Sequence, residues 1–456
     1  MLPPRIVTIL DRLRQDLADD LTPDAIKLAC NEEKYSWRER LLNPVTTVYL
    51  FILQILHGNT ACQHAVHFGG WNFTDSAYCA ARKRLPLGVL HRLMGRVAQT
   101  CRTAGDASTW FGHRVWLLDG SSFSMSDTPE LQATFGQPGG QRRGCGFPVA
   151  KFLALFDLAT GMLLRVEEAP LRSHEMSRCA VVSADLSAGD IVLGDRGFCS
   201  FAHIAILLNR KLHGVFRAHQ KQIIDFTPGR PQASKSKGKG KGSPKDPVCL
   251  PHSRWVEAQG KWDQIVVWYK PKSKPRWMSV AAYAELPEEI TVRELRYRVH
   301  TPGFRVSEVT LVTTLLDAAV YPASAVADLY YRRWQVEINF NHLKTTMKMD
   351  ILKCKTVDGV LKELAVFALV YNLVRSVMVE SARVQGVVPE RVSLLDAVRW
   401  MVGVEGDGNL CDLLVNPARP GRVEPRVVKR RPKKYPRMTK PRADLRKELL
   451  GEEVAA

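Results

Sequence analysis

Residues 330–344 read Tyr-Tyr-Arg-Arg-Trp-Gln-Val-Glu-Ile-Asn-Phe-Asn-His-Leu-Lys, and their spacing organises the reading of the whole chain. Tyr330, Arg333, Glu337 and Lys344 fall at offsets 0, 3, 7 and 14. At about 100° per residue on a helix, these positions lie within roughly 60° of one another. One helix face therefore presents a carboxylate, two cations and a phenol. Such a face suits a site that holds a divalent metal and grips phosphates around it. The alternative is a solvated helix face carrying an Arg–Glu pair at i, i+4.

Two other acids have a similar setting. Val115-Trp-Leu-Leu-Asp119-Gly and Ile191-Val-Leu-Gly-Asp195-Arg-Gly-Phe198 are short apolar runs ending in an aspartate. Each predicts a buried strand whose last residue projects Asp at the carboxyl edge of a sheet, where open α/β sheets place their chemistry. Asp beside Gly is also ordinary turn punctuation. Two strand-end aspartates and a helical glutamate, however, form the set that holds two divalent ions about 3.5–4 Å apart for in-line attack on a phosphodiester.

Asp119, Asp195 and Glu337 together resemble the DDE triad of cut-and-paste DNA transposases. The Tyr-x2-Arg-x3-Glu-x6-Lys spacing is similar to the YREK signature of the bacterial insertion-sequence-four family. Asp195-Arg-Gly-Phe198 resembles that family's motif around its second aspartate. Ser76–Cys79, Gly144–Pro148 and the basic C-terminal stretch extend the resemblance over most of residues 40–445. Tyr331 and Arg332 duplicate their neighbours, but only Tyr330 and Arg333 keep the spacing to Glu337.

The resemblance implies metal-dependent cleavage at the ends of an insertion sequence. The freed 3′-OH then attacks the opposite strand, making a hairpin, or attacks target DNA. The triad would bind two Mg²⁺ ions, with Mn²⁺ able to substitute. Arg333 and Lys344 would hold phosphates, Tyr330 would help position the DNA end, and Arg196 would steady a phosphate or make a structural ion pair. The implied partners are double-stranded DNA, terminal inverted repeats and target DNA, and the implied assembly is a homodimer on DNA. The setting is the bacterial cytoplasm, at the nucleoid when DNA is bound. In relatives a tryptophan from a β-rich insertion stacks on a flipped base; Trp255, Trp262, Trp268 and Trp277 are the candidates here.

Composition agrees with a polyanionic partner. The chain has 65 Lys+Arg against 46 Asp+Glu, a net charge of +19, and neutralised phosphates release counterions. Between Arg419 and Lys447 stand thirteen Lys or Arg and two acids, Glu424 and Asp444. Six prolines from Pro417 to Pro441 rule out a continuous helix there. This tail, with Lys429, Arg430 and Arg431, reads as an extended arm for the DNA backbone or as a solubilising tail. The ten cysteines show no C-x-x-C pair and no zinc spacing, as expected of reduced thiols. The uncharged stretches 41–74 and 364–374 have apolar parts short of the roughly 20 residues that span a bilayer, so no membrane is expected.

The expected fold is α/β: a ribonuclease-H-like catalytic core interrupted by a β-rich insertion, with a helical N-terminal domain and a basic C-terminal tail. Residues 1–108 form the helical DNA-binding region, where Asn72-Phe-Thr-Asp-Ser76 offers caps for a helix carrying Tyr78, Arg82, Lys83 and Arg84 toward DNA. Residues 109–217 form the first part of the core: strands at 114–118, 148–157 and 161–168, a helix at 174–186, the strand ending at Asp195, a helix at 201–210 and a strand at 213–217. Asp195 and Glu337 lie 142 positions apart, so an insertion is expected at 218–300, including the Lys/Gly-rich loop 234–245. Residues 301–405 complete the core, with a helix from Pro322 to about 347 and another at 357–384; residues 406–456 are the tail. Two alternatives remain: a DDE-type nuclease without strand transfer, and a domesticated DNA-binding protein.

Overall fold

A computed structural model describes residues 4–450 apart from 14, 69, 71, 104–108, 141, 143, 233–249, 300–307, 404–408 and 418–439. The Lys/Gly-rich loop and Lys429, Arg430 and Arg431 therefore lie outside the described residues.

The run Val115–Leu118 is apolar throughout because both of its faces are covered. Val115 and Leu117 pack into one core, Trp116 and Leu118 into another on the opposite side of a sheet, as for a central strand with helices on both faces. Strand β1 (Val115–Met125) is antiparallel to β2 (Val149–Asp157), which is antiparallel to β3 (Leu163–Pro170). β1 is parallel to β4 (Ile191–Gly194), and β4 to β5 (His213–Arg217). β6 (Arg254–Gly260), β7 (Asp263–Tyr269), β8 (Glu289–Arg298) and β9 (Glu308–Thr313) continue antiparallel from β5. The order is β3-β2-β1-β4-β5-β9-β8-β7-β6, and β10 (Ile351–Leu352) runs parallel to the far end of β1. The architecture is mixed α/β around one large mixed sheet.

Two local readings need correction. The first strand does not stop at Asp119 but continues to Met125, because β2 stays paired with it from Trp116 to Ser124. Only the parallel neighbour ends there, the last β1–β4 pair being Leu118 with Gly194. The single helix expected at 174–186 is instead three short turns, Glu175–Arg178, Cys179–Val182 and Ser183–Asp185. The Ser183 hydroxyl donates to the Cys179 carbonyl at 2.7 Å, and such back-bonding competes with regular helix.

The helix Val357–Val384 ties the layers together. It starts where the Thr356 hydroxyl accepts from Gly359 N and is buried along most of its length. Asn372 clamps the β3 backbone, accepting from Leu163 N and donating to Leu163 O, both at 2.8 Å. Tyr371 donates to Gly161 O at 2.8 Å, and Arg375 Nε to Thr160 O at 2.9 Å. Gly161 sits at φ +69° with the Arg375 guanidinium where a Cβ would stand, so the hairpin tip accepts only glycine there. The N-terminal helices Pro44–Leu56 and Leu87–Thr103 join the same core. Among the described residues, no helix is long and apolar enough to cross a membrane.

Candidate functional site

The strand register builds the site. Leu118, Gly194 and Phe216 are paired across β1, β4 and β5. One residue further along come Asp119 within β1, Asp195 just past the end of β4, and Arg217, the last residue of β5. All three follow residues of the same face (Leu118, Gly194, Phe216), so they turn to the opposite side, that of Leu117, Leu193 and Val215.

Gly194 has a specific cause. A Cβ there would meet the Phe216 and Phe198 rings at 3.1–3.2 Å, so glycine lets β4 end close beneath them without the rings having to shift. Asp195 then caps the turn Arg196–Phe198, its Oδ1 accepting from Gly197 N at 2.7 Å. Its Oδ2 has no hydrogen-bond partner among the described residues.

The segment opposite these residues is one continuous coil with changing pitch. Ala323–Tyr331 is α-helical, Arg332–Trp334 a 3₁₀ turn, Gln335–Asn341 α-helical again, and His342–Thr346 a π-helical turn. The uniform 100° step expected from the sequence therefore tightens before Glu337 and loosens after it. The widened turn keeps Leu343 in the core while the Lys344 ammonium donates to Ser121 Oγ at 3.0 Å, two residues along β1 from Asp119. Burial draws the Lys344 pKa down.

Arg332 is exposed, whereas Arg333 turns inward and places Nη1 3.6 Å from Asp119 Oδ2. The surface Arg–Glu pair weighed as an alternative is thus not the arrangement. Glu337 is exposed and makes no hydrogen bond or ion pair among the described residues. Tyr330 is buried, which pushes its phenol up to about 12, and the Arg333 guanidinium lies 5.9 Å from its ring centroid.

Asp119 shows the strain of bringing acids together. Burial is the main cause that pushes its carboxyl up to about 6, and the charges of Asp195 and Glu337 add to it. The Gly120 N–H, 2.8 Å from Oδ1, and Arg333 pull the other way. Among the described residues no three His, Cys, Asp or Glu side chains stand close enough to ligate one ion together. The donor chemistry still fits a hard divalent cation: oxygen ligands only, with mutually repelling charges that a cation would offset.

The other sequence candidates are more scattered. Arg196 Nη1 donates to Gln220 Oε1 at 3.1 Å. Arg82 turns inward between the N-terminal region and the core: it donates to Gln54 Oε1 at 3.0 Å and to Cys62 and Cys354 Sγ at 3.4 and 3.1 Å, with its guanidinium 3.8 Å from the centre of the Phe51 ring. Lys83 and Arg84 are exposed. Of the four tryptophans, Trp268 is buried and donates to Glu294 Oε1 at 3.1 Å, while Trp262 is 45% exposed. Arg217 and Ser121 were missed. Arg217 ends an apolar run in the way Asp119 and Asp195 do.

Residues 110–373 match the family described as the transposase DDE domain, a span that includes Asp119, Asp195 and Glu337. The chain belongs to that family. The transposase InsG for insertion sequence element IS4 of Escherichia coli (strain K12) is 26% identical to it over 382 residues, 79% of this chain and 78% of that protein. The transposase for insertion sequence element IS231B of Bacillus thuringiensis subsp. berliner is 21% identical over 263 residues, 55% of this chain and 54% of that protein. In shape the chain is similar to the piggyBac transposase in its synaptic complex with hairpin DNA, with a TM-score of 0.43 at 10% identity over 88% of this chain and 80% of that one. This transposase is thus an insertion-sequence-four-type DDE enzyme that cleaves DNA and transfers strands. Its family works with divalent metal ions.

Proposed function

We propose that Asp119, Asp195 and Glu337 are the catalytic and metal-holding acids of this transposase, working on the ends of an insertion sequence. The observation that carries this reading is that Asp119 and Asp195 each follow directly on the last β1–β4 pair, Leu118 with Gly194, with Glu337 close enough to act on the Asp119 carboxyl. Bound there, Mg²⁺ (or Mn²⁺) would supply Lewis-acid activation of the attacking oxygen and neutralise charge at the leaving 3′ oxygen.

The chain's own residues supply the rest. Arg333, Lys344 and Arg217 grip phosphates on either side of the scissile bond, and Tyr330, fixed by burial, sets where the DNA end comes to rest. β1–β5 with the helices on either face act as a ribonuclease-H-like core, interrupted by a β-rich insertion at 218–300. The helical region 1–108 and the tail 406–456 serve as DNA-binding appendages, using Lys83, Arg84, Arg196 and the Lys429–Arg431 cluster. Two ends are processed together by a homodimer on DNA, in the cytoplasm.

The test is incubation with Mg²⁺ and a duplex carrying the element's terminal repeats, with cleaved and joined products resolved beside Glu337→Gln. Cleavage and joining in the natural chain, both lost in Glu337→Gln, are expected. Cleavage without joining would replace this reading with a DDE nuclease. Binding without cleavage would leave a DNA-binding protein.

A further inference from the structure

The Arg333–Asp119 contact joins two parts of the site that are usually assigned separate duties. Arg333 belongs to the phosphate-gripping face, and Asp119 to the metal-holding acids. Here the Arg333 guanidinium lies against Asp119 Oδ2 at 3.6 Å, while Oδ1 is occupied by the Gly120 N–H at 2.8 Å. Both Asp119 oxygens therefore have a positive or donating neighbour. Asp195 Oδ2 and the Glu337 carboxylate have none among the described residues. The pair is partly open to water, with 18% of the Arg333 side chain and 21% of the Asp119 side chain exposed, and it makes a single contact instead of a two-pronged one. A single exposed contact is readily exchanged.

Resting on the reading above, we infer that Arg333 is a resident counter-charge for Asp119 that divalent metal must displace, and that its release frees the guanidinium for DNA phosphate. Metal and DNA then favour each other without touching: the ion takes over Asp119, and the side chain it evicts becomes a phosphate clamp. Linkage makes this reciprocal, so bound DNA tightens metal binding by the factor that metal tightens DNA binding. Glu337 is poised for the exchange, since its helix already carries Arg333 one turn away and its own carboxylate is unpaired.

The experiment is a Mn²⁺ titration of the full chain without DNA, followed by electron paramagnetic resonance, on the natural chain, Arg333→Gln, Lys344→Ala and Asp195→Asn. Arg333→Gln keeps most of the side chain's length and so tests charge without opening a hole. Removing the competitor should tighten Mn²⁺ binding about three- to tenfold. Lys344→Ala removes an equal charge from the same helix, but that ammonium bonds a hydroxyl, so it should change affinity by less than about twofold. Unchanged affinity in Arg333→Gln, or equal tightening in Lys344→Ala, would overturn the inference while leaving the metal-holding role of the acids intact. Absence of any Mn²⁺ binding sensitive to Asp195→Asn would instead overturn the proposed site itself, and this inference with it.

Discussion

Two Arg–Asp pairs of the molecule have opposite character, one in the strands that extend the sheet and one at the proposed site. Arg293 on β8 grips Asp263 on β7 with both prongs, Nε to Oδ1 at 2.8 Å and Nη2 to Oδ2 at 2.5 Å, and its remaining nitrogen donates to Tyr321 O at 2.7 Å. No part of the Arg293 side chain reaches solvent. Arg333 touches Asp119 once, at 3.6 Å, in a site still open to water. In the first pair every guanidinium nitrogen is hydrogen-bonded in place, so breaking it strands a buried charge. The second is under-bonded on both sides and sits among further acids, which is the condition of groups that change partners. The same two residue types thus serve permanence in one place and exchange in the other.

The sharpest break is Asp119→Asn. Cleavage should fall by about a thousandfold or more, since one of the three proposed metal-holding acids is lost. The fold should nevertheless become more stable. The native Asp119 carboxyl, raised to about 6 from an ordinary 3.8, binds its proton more tightly than the unfolded chain does. Its contribution to stability is therefore present below about pH 4 and lost as pH rises toward 6. At pH 7.5 without metal, Asn escapes that penalty, a gain on the order of 1–3 kcal/mol visible as a higher midpoint in urea. Equal or lower stability would mean that the acids do not oppose one another.

Next in size is the contrast between the two arginines. Arg293→Ala should cost about 3–5 kcal/mol of folding free energy, and Arg333→Ala less than about 1 kcal/mol. Thermal melts of the two variants check this; equal losses would erase the distinction drawn between the pairs. The smallest effect is a pH dependence. Mn²⁺ affinity without DNA should be flat above about pH 6.5 and weaken as pH falls through 6, because Asp119 must lose its proton to accept the ion. A midpoint near 4 would show that the carboxylate is not held back by its neighbours.

Much of this was legible in the sequence for one reason: period. The apolar runs before Asp119 and Asp195, and the spacing of Arg333 and Glu337, each follow from how a strand or helix repeats. What was hidden depended on partners far along the chain. β1 outruns Asp119 because β2, and not its own composition, keeps it extended. The change of pitch around Glu337 reflects contacts of Lys344 with Ser121 and of Leu343 with the core, neither of which marks the local sequence. Arg82 looked like a cation for DNA because it sits beside Lys83 and Arg84. Nothing local reveals that Gln54, Cys62 and Cys354 would enclose it.

The far end of β1 carries a consequence in time. The Ser124 hydroxyl donates to the carbonyl of Asp350, 226 residues later, and β10 closes beside it. At roughly 5–20 residues per second of synthesis, β1 emerges from the ribosome about 10–45 s before its last partner exists. Glu337 arrives in that same late segment. A chain still being made therefore carries both aspartates without the glutamate, and with the proposed triad it could not cut the DNA from which it is being expressed until translation has passed the whole site.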